Sequence, residues 1–189
     1  MELEFPSNVT TTTMNPAHQQ LWNQISDFEF GDPDARLGFV DRLARENGWS
    51  LEYASRVSWE YKRFLFLCCV CKHSVTPSDQ VDQAWHLHLL YTESYWVNFC
   101  RNTIGRDIHH GPTKGGNAEG NKFKLWYEKT LESYRKYFHT EPPADIWPDV
   151  EKRFSGFNYR RIDLDKFWIF PKPKLRLWKL LSGIGRPPK

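Results

Sequence analysis

Helix-start signals recur along this chain at Asn15-Pro16, Asp32-Pro33-Asp34, Ser50 and Thr76-Pro77-Ser78-Asp79, each ahead of a run whose apolar residues return every three or four positions. A side-chain oxygen that caps the first free N–H groups, followed by such a run, specifies a helix that buries one side. No segment alternates apolar and polar residues as a half-buried strand does, and no internal repeat is present. The chain is therefore predicted to be all-α, a single-domain bundle of about five helices with a Gly-rich loop and an irregular C-terminal strap.

The elements follow from those signals. Asn15 caps a first helix with Pro16 at its first position, where the missing N–H costs nothing. Asp32-Pro33-Asp34 repeats the signal for a second helix, which Gly48 ends. The third helix, capped by Ser50, carries Ala54, Val57, Tyr61, Phe64, Leu65, Cys68 and Cys71 on one stripe and Glu52, Arg56, Glu60 and Arg63 on the other, so it is expected to pack on one face only. Thr76-Pro77-Ser78-Asp79 signals a fourth helix, predicted to run unbroken to about Thr103, roughly 40 Å at 1.5 Å per residue. Five glycines between Gly105 and Gly120 make a loop. A fifth helix starts near Asn117 and carries Phe123, Tyr127, Thr130, Leu131, Tyr134 and Phe138 until Pro142-Pro143 stops the pattern. The expected organisation is a disordered leader over 1–14, a helical domain over 15–154 and a basic, aromatic strap or tail over 155–189.

A chain of 189 residues can bury about 70% of its unfolded surface, enough for a core without staples. No stretch of about 18 apolar residues is present to span a bilayer. Residues 1–13 are threonine-rich without the basic and apolar regions of an export signal, so a cytoplasmic location with reduced thiols is expected. Cys68, Cys69 and Cys71 then read as buried, inert thiols, or, for Cys68 and Cys71, as a Cys-x-x-Cys redox pair.

Four of the seven histidines, His86, His88, His109 and His110, fall within 25 positions. His86 and His88 point about 200° apart on a regular helix and cannot ligate one ion together. Asp82 and His86 have the i, i+4 spacing that can, and the Gly-rich loop offers His109 and His110 as further donors. The candidate metal ligands are therefore Asp82, His86, His109 and His110, with His88, Glu119 and Tyr95 in support and a divalent ion such as zinc, iron or manganese as the cofactor. A hydrolytic or oxidative enzyme is one use of such a site. The alternative is structural: His88 as a core histidine satisfied by Tyr91, Thr92 or Tyr95, and His86 paired with Asp82. A metal-free acid/base role for the His86–Asp82 pair is a third reading.

Charge divides the chain unevenly. Residues 1–151 hold 15 basic and 21 acidic side chains, and residues 152–189 hold 11 basic and 2 acidic, within a net +3. The basic part interleaves Phe157, Tyr159, Phe167, Trp168, Phe170 and Trp178 with its cations. That mixture suits an anionic membrane surface, a nucleic acid, or the acidic body of the same chain. Gly111-Pro112-Thr113-Lys114-Gly115-Gly116 reads as a connecting loop or as an anion cradle, although it lacks the order of a P-loop and follows no strand.

Glu60-Tyr61-Lys62-Arg63-Phe64, Val75 to Asp79, Val81 to Thr92 with its Trp85-His86-Leu87-His88 core, and His109 to Gly116 together carry a family resemblance. So does Pro142 to Pro148. The chain resembles uncharacterised bacterial proteins similar to the helical region of the glycine-rich domain-containing protein family, over roughly residues 33–154. The resemblance implies a helical domain and draws weight to the Trp-His-x-His and His-His-Gly-Pro-Thr positions, and it implies no particular reaction.

Overall fold

The computed structural model describes residues 14–32, 34–111, 117–155 and 165–170, without the side chains of 117–119. The expected leader apart from Met14, the Lys114-containing part of the Gly-rich loop and most of the C-terminal strap lie outside these residues. Among the described residues all regular structure is helical, and no helix is long and apolar enough to cross a membrane. Contacts divide the chain into Met1–Gly156 and Phe157–Lys189.

In the first unit, α1 (Pro16–Asp27) begins as predicted, with the Asn15 side chain accepting from the His18 N–H at 2.8 Å. It buries Trp22 and Ile25. The second start signal is used differently. Asp32 makes a turn, its side chain accepting from Asp34 N at 3.0 Å, and α2 (Phe39–Asn47) begins only at Gly38, whose N–H is met by Asp41 Oδ2 at 3.2 Å. An Asp side chain satisfies backbone two residues on as readily as it caps a helix, so the motif alone does not choose. Gly48 ends α2 as expected, in the left-handed region at φ 66°.

The third helix, α3 (Leu51–Val70), is the axis of the body. It packs against α1, α2, α4 and α5, and so buries Ser58, Glu60, Phe66 and Leu67 in addition to most of the predicted stripe. The expectation of one packed face is corrected here, because neighbours arrive from several directions. Glu60, placed by the sequence on the solvent side, is 4% exposed. Its carboxylate accepts from Trp147 Nε1 at 2.9 Å, Tyr134 Oη at 3.2 Å and Arg63 at 3.2 Å. Desolvation raises its pKa against the pull of Arg63.

The predicted long fourth helix is two elements. Ser78 caps α4 (Asp79–Leu90), accepting from Val81 N at 3.3 Å, and the α geometry fails at Tyr91, where φ is −86° and ψ is 66°. An 11-residue π-helix, Glu93–Thr103, continues from there. Two tertiary contacts account for the break. The Tyr91 ring lies against Gly31, where a Cβ would sit 3.1 Å from it, and Ser94 Oγ lies between Gly31 N at 3.1 Å and His88 Nε2 at 3.3 Å. Wider π turns then let Ser94, Tyr95, Phe99 and Cys100 all face the core.

As predicted, α5 (Asn117–Phe138) follows the glycine-rich segment, and its last residue, Phe138, stands four positions before the proline pair, with His139 just past it at φ 50°. A last turn, α6 (Val150–Arg153), is capped by Asp149. Arg153 Nη1 meets Asp79 Oδ1 at 2.6 Å, which holds the start of α4. Burial pushes the Asp79 carboxyl up to about 6 despite that guanidinium. Of the second unit only 165–170 is described, with Phe167, Trp168, Ile169 and Phe170 all exposed.

Candidate metal centre

One turn of α4 separates Asp82 from His86, so both side chains leave the same face, while the backbone after the π-helix brings in His110. His110 Nε2 lies 2.9 Å from Asp82 Oδ1, and His86 Nδ1 lies 3.7 Å from Asp82 Oδ2. The two imidazoles stand 4.5 Å apart between centroids. Each of the three residues offers one donor atom, and those atoms all lie within 4.8 Å of one another, so the group could hold a metal ion. Two imidazole nitrogens and one carboxylate oxygen match the donor set of catalytic zinc and non-haem iron sites, which leave coordination positions for water or substrate.

Exposure grades across the group. His110 and Asp82 keep 19% and 23% of their side-chain surface, and His86 keeps 50%. The Trp85 ring meets His110 edge to face at 4.4 Å and walls the inner side. Solvent therefore reaches the group past His86, while Trp85 separates it from the core.

Of the other candidates, His109 is not brought into the group. Its ring leaves the chain in a different direction from that of His110, packs against Trp96 at 5.6 Å and is exposed. Only the backbone of Glu119 is described, in the first turn of α5. His88 lies on the core side of α4, fully buried, with Nδ1 3.1 Å from Tyr61 Oη and Nε2 3.3 Å from Ser94 Oγ. Those partners replace Tyr91, Thr92 and Tyr95 as its expected satisfiers; Tyr95 instead packs its ring on the imidazole at 4.9 Å. With Phe28, Phe30, Phe39 and Phe99 also around it, burial pushes the His88 pKa down to about 3, and the ring stays neutral. His88 thus secures the helix that carries Asp82 and His86 from behind, with both nitrogens engaged by protein.

Tyr95 joins the two walls of the site. Its hydroxyl accepts from Trp85 Nε1 at 2.9 Å and donates to the Ile108 carbonyl at 2.5 Å. Tyr61 and Ser94, the partners of His88, are not legible in the sequence, since Tyr61 lies 27 positions away on another helix and Ser94 is set by the break at Tyr91. The cysteines are free thiols, with burial raising the pKa of Cys69 to about 11 and those of Cys68, Cys71 and Cys100 above the ordinary range. That is the inert setting rather than the activated one.

Residues 32–137, which contain five of the seven histidines including His86, His88, His109 and His110, match a family model described as UCP032817-like. An alignment over 85 residues, covering 42% of the chain, is 29% identical to Glycine-rich domain-containing protein 1 of Arabidopsis thaliana, of which it covers 10%. The chain thus spans about a tenth of the length of that curated relative. No solved structure matches the chain.

Proposed function

We propose, from the premise that this chain belongs to the UCP032817-like family, that Asp82, His86 and His110 bind a divalent transition metal ion, zinc or iron first, as a centre with positions left open for catalysis. The convergence of three donor atoms from two separate segments within 4.8 Å carries this reading. A metal so held would lower the pKa of bound water or polarise a bound oxygen, which places hydrolytic or oxidative chemistry within its range. The chain's own part is to orient the donors: Asp82 and His86 on a helix turn held by Arg153, and His110 against Trp85.

Metal analysis of the full chain after zinc or iron loading tests this. About one equivalent is expected for wild type and for His109→Ala, against less than roughly a tenth for Asp82→Ala and His110→Ala. A wild-type protein that leaves desalting with no metal ends the proposal.

A second reading concerns the C-terminal segment alone and is favoured by its exposure. Phe167, Trp168, Ile169 and Phe170 are 59%, 88%, 58% and 74% exposed in a row. Lys166 precedes them and Lys172, Lys174, Arg176 and Lys179 follow in sequence, so apolar and cationic groups alternate as an interfacial segment requires. We infer an anionic membrane surface as the partner of this segment. Co-sedimentation with phosphatidylserine vesicles should exceed that with neutral vesicles, and Trp168→Ala with Phe170→Ala should lower it roughly tenfold. Equal loss of RNA binding with no vesicle binding would assign the segment to nucleic acid instead.

A further inference from the structure

We propose that Tyr95 is the positioning residue of the metal centre: its buried hydroxyl fixes the backbone from which His110 reaches Asp82, so the affinity of the site depends on a group that touches no ion. This rests on the reading of Asp82, His86 and His110 as ligands. Two of the three sit on one turn of α4 and keep their spacing whatever the rest of the chain does. His110 has no helix beneath it. Its place beside Asp82, 28 residues away, depends on how the segment after Thr103 folds back.

Tyr95 supplies that fold-back with a fixed point. The phenol is fully buried, and its one hydroxyl both accepts from the indole of Trp85 and donates to the carbonyl of Ile108, two residues before His110. Trp85 directly precedes His86, and its ring is the surface on which the His110 imidazole rests. A single hydroxyl therefore links the helix with two donors to the loop with the third. The broken helix at Tyr91 and the π turns beyond it are what turn Tyr95 inward, so the local departure from α geometry belongs to the same device. Desolvation holds the Tyr95 hydroxyl pKa well above its ordinary value, which keeps its proton available to Ile108 throughout the working pH range. Partners one step outside a metal's ligands commonly change affinity by roughly ten- to a hundredfold.

The test compares zinc affinity, by competition with a chromophoric chelator, in the full-length wild type, Tyr95→Phe and Tyr127→Phe. Tyr127 is a matched control, since its buried hydroxyl also donates to a carbonyl, that of Pro148 at 2.8 Å, on a segment that carries none of the three ligands. Tyr95→Phe is expected to weaken zinc binding about ten- to a hundredfold while Tyr127→Phe leaves it within about twofold. A second readout needs no metal. In the zinc-free protein the His110 imidazole resonances of Tyr95→Phe should move toward those of Asp82→Asn, and those of Tyr127→Phe should stay at the wild-type position. Unchanged affinity in Tyr95→Phe, equal weakening in both tyrosine variants, or His110 resonances that do not move would each overturn the assignment. A wild type that binds no zinc would defeat the ligand reading, and the metal-free resonances would still decide whether Tyr95 sets the ring.

Discussion

Acidification from pH 7 to pH 4 is expected to remove about 3 kcal/mol of stability through His88 alone, and about 4 kcal/mol by pH 3. The buried imidazole has its pKa lowered to about 3, whereas in the unfolded chain it returns to the ordinary histidine value near 6.5. Below 6.5 the unfolded chain takes up a proton that the folded one refuses. Stability due to this group is therefore fully present above about pH 6.5 and falls steadily toward pH 3. Glu60 has the opposite sign: its raised pKa favours the folded state at low pH, and that gain is lost as pH rises through its folded value. The two are separated by His88→Gln, which keeps a donor and an acceptor for Tyr61 and Ser94 but does not titrate. Urea unfolding of both proteins between pH 7 and pH 4 should show wild type losing its lead and falling below the variant. Parallel profiles would mean that His88 is not held neutral.

Replacing Glu60 by alanine should cost about 3–5 kcal/mol at pH 7, the usual loss when one partner of a buried ion pair is removed. Three donors converge on this carboxylate: Trp147 Nε1 on Oε2, with Arg63 and Tyr134 Oη on Oε1. Arg63 also donates to Tyr134 Oη, so the variant strands a cation, an indole and a phenol together. The Arg63 side chain keeps 13% of its surface, too little for water to replace the carboxylate fully. Glu60→Gln, which retains volume and one acceptor oxygen, should lose about 1–2 kcal/mol. The same network ties α3 to α5 and to the Trp147 turn, so the loss should appear as a lower denaturation midpoint with an unchanged slope. A Glu60→Ala protein as stable as wild type would show that the network offsets only its own desolvation.

The two expectations rest on residues that the chain pattern treats differently. His88 follows helical spacing onto the apolar face of α4, so its burial was legible, though its partners were not. Glu60 falls in a run of alternating charges and reads as solvated; only the arrival of Trp147 and Tyr134 makes it a core residue. In the metal centre, the i, i+4 pair Asp82 and His86 could be read directly, because helix geometry alone sets their neighbourhood. Choosing between His109 and His110 could not, since adjacent residues in an irregular segment diverge and only the surroundings select one. Tyr95 was legible as a member of the same region, without its role, because the hydrogen bond to Ile108 exists only after the chain has turned back.

What the sequence by itself determined is the all-helical class, the caps at Asn15 and Ser50, the start of α4 within Thr76 to Asp79, the stop at Gly48, and the pairing of Asp82 with His86, since each depends on interactions within about one helical turn. Tertiary structure alone decided the break at Tyr91 and the π turns after it, the burial of Glu60, and the approach of His110 to Asp82. Those outcomes turn on groups far apart in the chain, such as Gly31 with Ser94 and Glu60 with Trp147, whose meeting is set by competition among all the packed faces at once.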